Sequence, residues 1–196
     1  MARRTPLYQR LIGADYADLP DITQRIHNVD GEKIARGRGR VTRNKSAIGN
    51  WLADCLGMPK AAADIPVAVV FEEQNGGEMI SRNYDGHILT TYQAEGNGRD
   101  AGLLKETFGP VALFIHLDAH KAGIDFHLRK ATIGPIPLPK MLRPRVTARE
   151  RSQNGQHHYF VCVGLPFVGT LIEYEGTLDL KQQDHDERHT ERIDVV

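Results

Sequence analysis

The sequence predicts an α+β protein dominated by antiparallel β, a curved sheet or barrel of roughly eight to ten strands with N-terminal helices packed on it. Three observations lead there. Helical spacing of apolar residues is confined to the stretch before Pro59. From Ile65 to Leu178 the chain turns into short alternating runs separated by Gly, Asn, Asp and Pro. The composition, 196 residues with 25 basic against 25 acidic side chains, suits one core-forming domain. We place that domain at residues 1–180 and expect the charged stretch Lys181–Val196 to be a mobile tail.

In chain order, Leu7, Tyr8, Leu11 and Ile12 recur at helical spacing until Gly13 stops them. Asp18-Leu19-Pro20 opens a second short helix that runs through Ile22 and Ile26 to His27. Ile34–Val41 follows, with Arg36, Arg38 and Arg40 alternating with small residues, the period of a strand with one solvated face. Its glycines allow close packing or the approach of a ligand. It is not a dinucleotide fingerprint, because no apolar strand precedes the glycines. The clearest helix starts after Asn44 and places Ile48, Trp51, Leu52, Cys55 and Leu56 on one face, with Trp51 as the expected core anchor.

The strands expected next are Pro66–Glu73, Met79–Tyr84, His87–Glu95, Gly102–Phe108, Val111–Asp118 and Ile124–Thr132. A proline-rich crossing, in which Leu138 and Met141 are expected to bury, leads to Val146–Ser152, Gln156–Val163 and Thr170–Leu178. In the hairpin 111–132, Leu113, Ile115, Leu117, Ile124, Phe126 and Leu128 share one face. A two-residue turn sets His116 opposite His127 and Asp118 opposite Asp125 on the other.

These strand motifs resemble a family. Leu19-Pro20 with His27, then Arg36-Gly37, look like its opening, and Arg82, Tyr84 and Gly86 like its Trp-x-Arg-x-Phe-x-Gly segment. Glu106-Thr107-Phe108-Gly109-Pro110 is similar to its Glu-x-Phe-Gly element. Gly134–Pro139 with Leu142-Arg143-Pro144 resembles its proline-rich crossing, and Tyr174-Glu175-Gly176-Thr177-Leu178 its closing strand. The family is the bacterial domain-of-unknown-function family 4166, found alone or appended to saccharopine-dehydrogenase-like modules. The resemblance spans residues 7–178 and implies a β-rich domain without assigning an activity. Ile80 and Thr177 stand where the family has tryptophans, so any pocket those aromatics line is shaped differently here.

Several functions are set aside by composition. No run of ~18 apolar residues could span a membrane, and no apolar stretch follows the basic start to make a secretory signal. Zero net charge argues against nucleic acid as a partner. Cys55 and Cys162 read as small buried hydrophobes in a cytoplasmic, reducing setting. No Gly-x-Ser-x-Gly elbow is present.

The candidates that remain are a catalytic set of Arg82, Glu106 and His27, and a ligand-binding set of Arg82, Tyr84, Glu106 and Tyr174. Arg82 and Glu106 serve equally as a structural ion pair. No cofactor is expected. His116 and His120, four residues apart on a strand, lie roughly 13 Å apart and cannot share a metal at ~2.1 Å. The cross-strand set His116, His127, Asp118 and Asp125 is a better-shaped but weak metal candidate, and a solvated polar face explains it as well.

The leading functional expectation is a module that binds an apolar or amphipathic small molecule in the concavity of the sheet. The alternatives are a cofactor-independent isomerase, cyclase or hydrolase whose three residues converge on one pocket. A third option is an accessory domain for a dehydrogenase-like protein partner.

Overall fold

The alternating segments do form strands, and those strands close on themselves. The structure, a computed structural model, describes residues 5–180; the expected tail, 181–196, lies outside the described residues. Helices α1 (Leu7–Ile12) and α2 (Asp21–His27) are joined by a 3-10 turn and followed by β1 (Glu32–Arg43), α3 (Ala47–Cys55) and β2 (Ala62–Gln74). Then come β3 (Gly77–Tyr84), β4 (His87–Glu95), β5 (Leu104–Phe108), β6 (Val111–His120), β7 (Gly123–Ile133) and the two-residue β8 (Ile136–Pro137). The chain finishes with β9 (Arg145–Gln153), β10 (Gln156–Leu165) and β11 (Gly169–Asp179).

The ring runs β6-β5-β4-β3-β2-β1-β11-β10-β9-β7, and β6 pairs back on β7, which closes a barrel of ten strands. All pairings are antiparallel, and β8 sits outside the ring on β7. Closure leaves no long strand edge unpaired. The predicted hairpin register holds, His116 opposite His127 and Asp118 opposite Asp125. The apolar face of that hairpin is the inner one.

Because every strand reverses, the barrel has two rims of different make. The first carries α1 and α2, which plug it. Leu7, Tyr8, Tyr16 and Leu19 pack on Leu104, Ile115, Leu117 and Ile124, while Ile22 and Ile26 pack on Ala35, Val69, Phe71 and Leu178. Each side chain so buried contributes about 1.5–3 kcal/mol. The second rim holds the β1–β2 connection with α3, the β3–β4 and β10–β11 turns and the β7–β9 crossing with β8. Among the described residues, the eight large hydrophobic side chains that stay exposed all lie on it: Ile48, Trp51, Ile88, Ile133, Ile136, Met141, Leu142 and Phe167.

Helix α3 corrects one expectation. Ser46 caps it by accepting from the Gly49 N–H at 3.0 Å. Its inward stripe is Gly49 and Ala53, both buried, with the half-buried Leu52 and Leu56. The apolar sector of the helix is wider than the strip of barrel it covers, so Trp51 remains 64% exposed rather than anchoring the core. Cys55 is exposed for the same reason, and Cys162 is half-buried. Met141 is likewise solvent-facing, because the crossing runs over the lip of the barrel, where only Leu138 turns partly in. Strand β2 begins at Ala62 instead of Pro66, continuing past the proline opposite Arg38 of β1.

A candidate ligand cavity inside the barrel

The alternation that closes the barrel also decides what it holds. Inward rows are mostly aliphatic and aromatic, and between them lies a cavity of about 480 Å³, within the usual range for a small-molecule site. Its walls at the α3 rim are Leu52, Leu56, Met58, Val111, Leu138, Val146 and Leu165. Ile133 and Leu142 line it too and are 48% and 50% exposed, so its wall continues into the open rim. At the plugged rim it ends on Tyr8, Ile26, His27 and His157, each 2% exposed or less.

Partway along the wall, three neighbouring strands contribute one polar cluster. Arg82 on β3 donates from Nη1 to Thr91 Oγ1 at 2.8 Å and from Nη2 to Glu106 Oε1 at 3.2 Å. Thr91 on β4 donates to the same carboxylate oxygen at 2.8 Å. The two charged side chains are 21% and 17% exposed. Burial works against the charge of Arg82, but Glu106 and the nearby tyrosines hold the guanidinium firmly protonated. Tyr84 and Tyr174 stand beside it with ring centroids 5.8 Å apart. Burial pushes the Tyr174 hydroxyl up to about 12 and raises that of Tyr84 well above its ordinary value, so both stay protonated.

Tyr159 on β10 completes this wall. Its ring crosses Gly176 of β11 and Gly39 of β1, and a Cβ at either glycine would fall 2.7 Å from its hydroxyl. Here the glycines of the arginine-rich strand do admit a close approach. The Tyr159 hydroxyl is buried; no contact among the described residues reaches full hydrogen-bond geometry, and the Tyr84 side chain is the one that approaches it, opposing the rise in its pKa that burial causes. Arg38 and Arg40 of that strand face outward, where Arg38 pairs with Asp64 at 2.6 Å and Arg40 lies 3.7 Å from Glu175.

A second cluster sits at the plug. His27 Nε2 donates to Glu150 Oε2 at 2.7 Å, and His157 Nε2 lies 3.7 Å from the same oxygen. Tyr8 stacks on the His27 ring at 3.7 Å and donates to Gln93 Oε1 at 3.1 Å. Burial would raise the Glu150 carboxyl, but the two imidazoles, the hydrogen bond from His27 and the more distant Arg82 hold it down at about 2. Burial lowers the pKa of His157, an effect Glu150 opposes and His27 reinforces. His27 Nδ1 is buried with no hydrogen-bond partner among the described residues.

All five residues singled out from the sequence, His27, Arg82, Tyr84, Glu106 and Tyr174, therefore line one cavity. They do not form one constellation. Arg82 and Glu106 hold each other, whereas His27 is held by Glu150. Sequence reasoning missed Glu150, His157, Thr91, Gln93 and Tyr159. The signal was present for Glu150, which continues the inward row Val146, Ala148, and for Thr91 and Gln93, which continue the row begun by Leu89. Ile80 also lines the cavity, while Thr177 pairs with Arg38, whose side chain is on the outside.

His116, His127, Asp118 and Asp125 lie on the outer polar face. Asp118 is 3.7 Å from His127, and Asp125 is taken by Arg151 at 2.6 Å and His120 at 3.0 Å. Among the described residues no three His, Cys, Asp or Glu side chains gather closely enough to hold a metal ion.

Fold and interior together define a closed antiparallel β-barrel with a largely apolar internal cavity and a buried polar cluster on its wall. The chain belongs to the family described as domain of unknown function DUF4166, which it matches over residues 19–178. No curated protein and no solved structure matches it. Among the described residues no helix is long and apolar enough to cross a membrane.

Proposed function

We propose that the barrel binds an apolar small molecule bearing one uncharged oxygen function, a hydroxyl or carbonyl, at its polar end. The observation that carries this is the cavity of about 480 Å³, whose mostly aliphatic and aromatic lining meets Arg82, Thr91, Glu106 and three tyrosines partway along the wall, away from the His27–Glu150 cluster at its floor. A carboxylate ligand fits less well. Glu106 already neutralises Arg82, and a further anion beside it would meet repulsion in a poorly screened interior. The Tyr159 hydroxyl, which among the described residues only Tyr84 approaches and without full hydrogen-bond geometry, supplies a donor for a neutral acceptor. Both cysteines are free, which supports a reducing compartment.

Organic extraction of the purified protein followed by mass spectrometry tests this reading. Recovery of a neutral, oxygen-bearing apolar compound in near-stoichiometric amount is the expected result. Protein that yields no such compound, and takes up none when offered a mixed lipid extract, would refute it.

The catalytic alternative finds less support, because its three residues are divided between two clusters. A supporting role beside a dehydrogenase-like protein rests on the family resemblance alone.

A further inference from the structure

We infer that the α3 rim docks on an anionic lipid surface and that the cavity exchanges its ligand there, the second half resting on the ligand-binding reading above. The surface is lopsided. Among the described residues every exposed large hydrophobic side chain sits on this rim, and Ile133 and Leu142 join that surface to the cavity wall without a polar break. Scattered single hydrophobics are ordinary, but gathering all of them around a cavity mouth marks an interaction site.

The turn at Phe167 shows that the presentation is built in. Val168 N–H donates to Leu165 O at 3.2 Å, Pro166 takes the first central position, and Phe167 takes the second at a φ of 65°. That position of a type II turn favours Gly or Asn. An aromatic there is strained, and its ring gains no packing in return, being 93% exposed. On a lipid surface the ring would lie among acyl chains, as Trp51 on α3 would lie at headgroup depth.

Charge selects the partner. From Phe126 to Arg149 the chain has no acidic residue and six basic ones. On the rim Lys140, Arg145 and Lys45 are exposed and have no ion pair among the described residues. The acids Asp54 and Asp64 are already paired with basic neighbours, which leaves Asp85 in the β3–β4 turn. Cations around an apolar patch suit an anionic membrane surface. They disfavour a second copy of the same face, which would bring like charges together across a two-fold axis. An apolar ligand is stored in lipid, so a mouth that rests on the bilayer spares it transfer through water.

Co-sedimentation with phosphatidylcholine vesicles, with and without phosphatidylglycerol, tests the inference. The wild-type chain should pellet with the anionic vesicles and be released by salt. Phe167→Asn and Trp51→Ser should each weaken this by about tenfold, and Lys140→Glu with Arg145→Glu should abolish the preference for phosphatidylglycerol. Phe167→Asn relieves the strained turn, so loss of binding in that variant cannot be put down to misfolding. A wild-type chain that stays in the supernatant, or variants that pellet unchanged, would overturn the docking. So would concentration-dependent self-association that Phe167→Asn removes. Uptake of the neutral fluorophore N-phenylnaphthylamine, followed without vesicles, separates the two readings. The rim variants should retain it, whereas vesicle binding without uptake would remove the ligand and leave the docking.

Discussion

At the plugged end of the barrel, polar and ionisable groups are buried and aromatic rings cover them; at the α3 end, apolar groups are exposed and cations flank them. His27, His157 and Glu150 are shut in beneath Tyr8, with 2%, 1% and 16% of their side chains accessible. Trp51, Met141 and Phe167 are between 64% and 93% exposed. Each arrangement runs against simple burial, and the reasons differ. The plug is held by the His27–Glu150 and Tyr8–Gln93 hydrogen bonds and by the stacking of Tyr8 on His27, which specify how α1 and α2 seat. The open rim has no internal partner for its apolar groups, so its reason lies outside the molecule.

Breaking the plug should have the largest effect. Glu150→Ala leaves His27 without its acceptor and His157 without the carboxylate beside it, and we expect a loss of about 3–5 kcal/mol in urea unfolding. A loss below about 1 kcal/mol would mean the network contributes little. Next comes the wall cluster. Arg82→Met should cost about 3 kcal/mol by stranding Glu106, while Arg82→Met with Glu106→Leu should regain most of it. If the double variant is stable yet takes up no ligand, the pair serves binding; if it takes up ligand as the wild type does, the pair is structural.

Acid should loosen the plug before the rim, in a set order. His157 has a lowered pKa, so below its ordinary value of about 6.5 the unfolded chain binds more protons and stability falls. Glu150 is held at about 2, so its contribution is present above its ordinary value of 4.5 and is lost as the pH falls from there toward 2. Urea midpoints measured from pH 8 to pH 3 should therefore decline in two stages. In Glu150→Ala the lower stage should shrink. The smallest effect belongs to the rim: Phe167→Asn should stabilise the fold by about 1 kcal/mol, by relieving a left-handed aromatic. A thermal melt that moves down instead would show that the ring packs against something within the chain.

The sequence was legible where one rule acts alone. Strand alternation gave β4 as His87–Glu95 and the 116–127 register, because a two-residue turn and a half-buried face leave no competing choice. Motif residues led to Arg82, Glu106, Tyr84 and Tyr174, which the closed ring brings to one cavity. Periodicity failed at Trp51, since a helical stripe tells which residues share a face and not how much of that face the barrel covers. The plug stayed hidden for a similar reason. His27 and Glu150 meet only because α2 caps a barrel that the β1–β11 and β7–β9 pairings join across distant parts of the chain, and no local pattern encodes those pairings.

The central claim is that the cavity is a ligand site, and filling it is the direct test. Ile80 lines the cavity and is 2% exposed, so Ile80→Trp places a bulky ring in the space, next to Thr91, its partner across the β3–β4 pairing. Fluorescence titration with N-phenylnaphthylamine should show saturable uptake at one site per chain in the wild type, weakened at least about tenfold in Ile80→Trp. Uptake that is equal in both proteins, or absent from the wild type after organic extraction of any endogenous compound, would contradict the account.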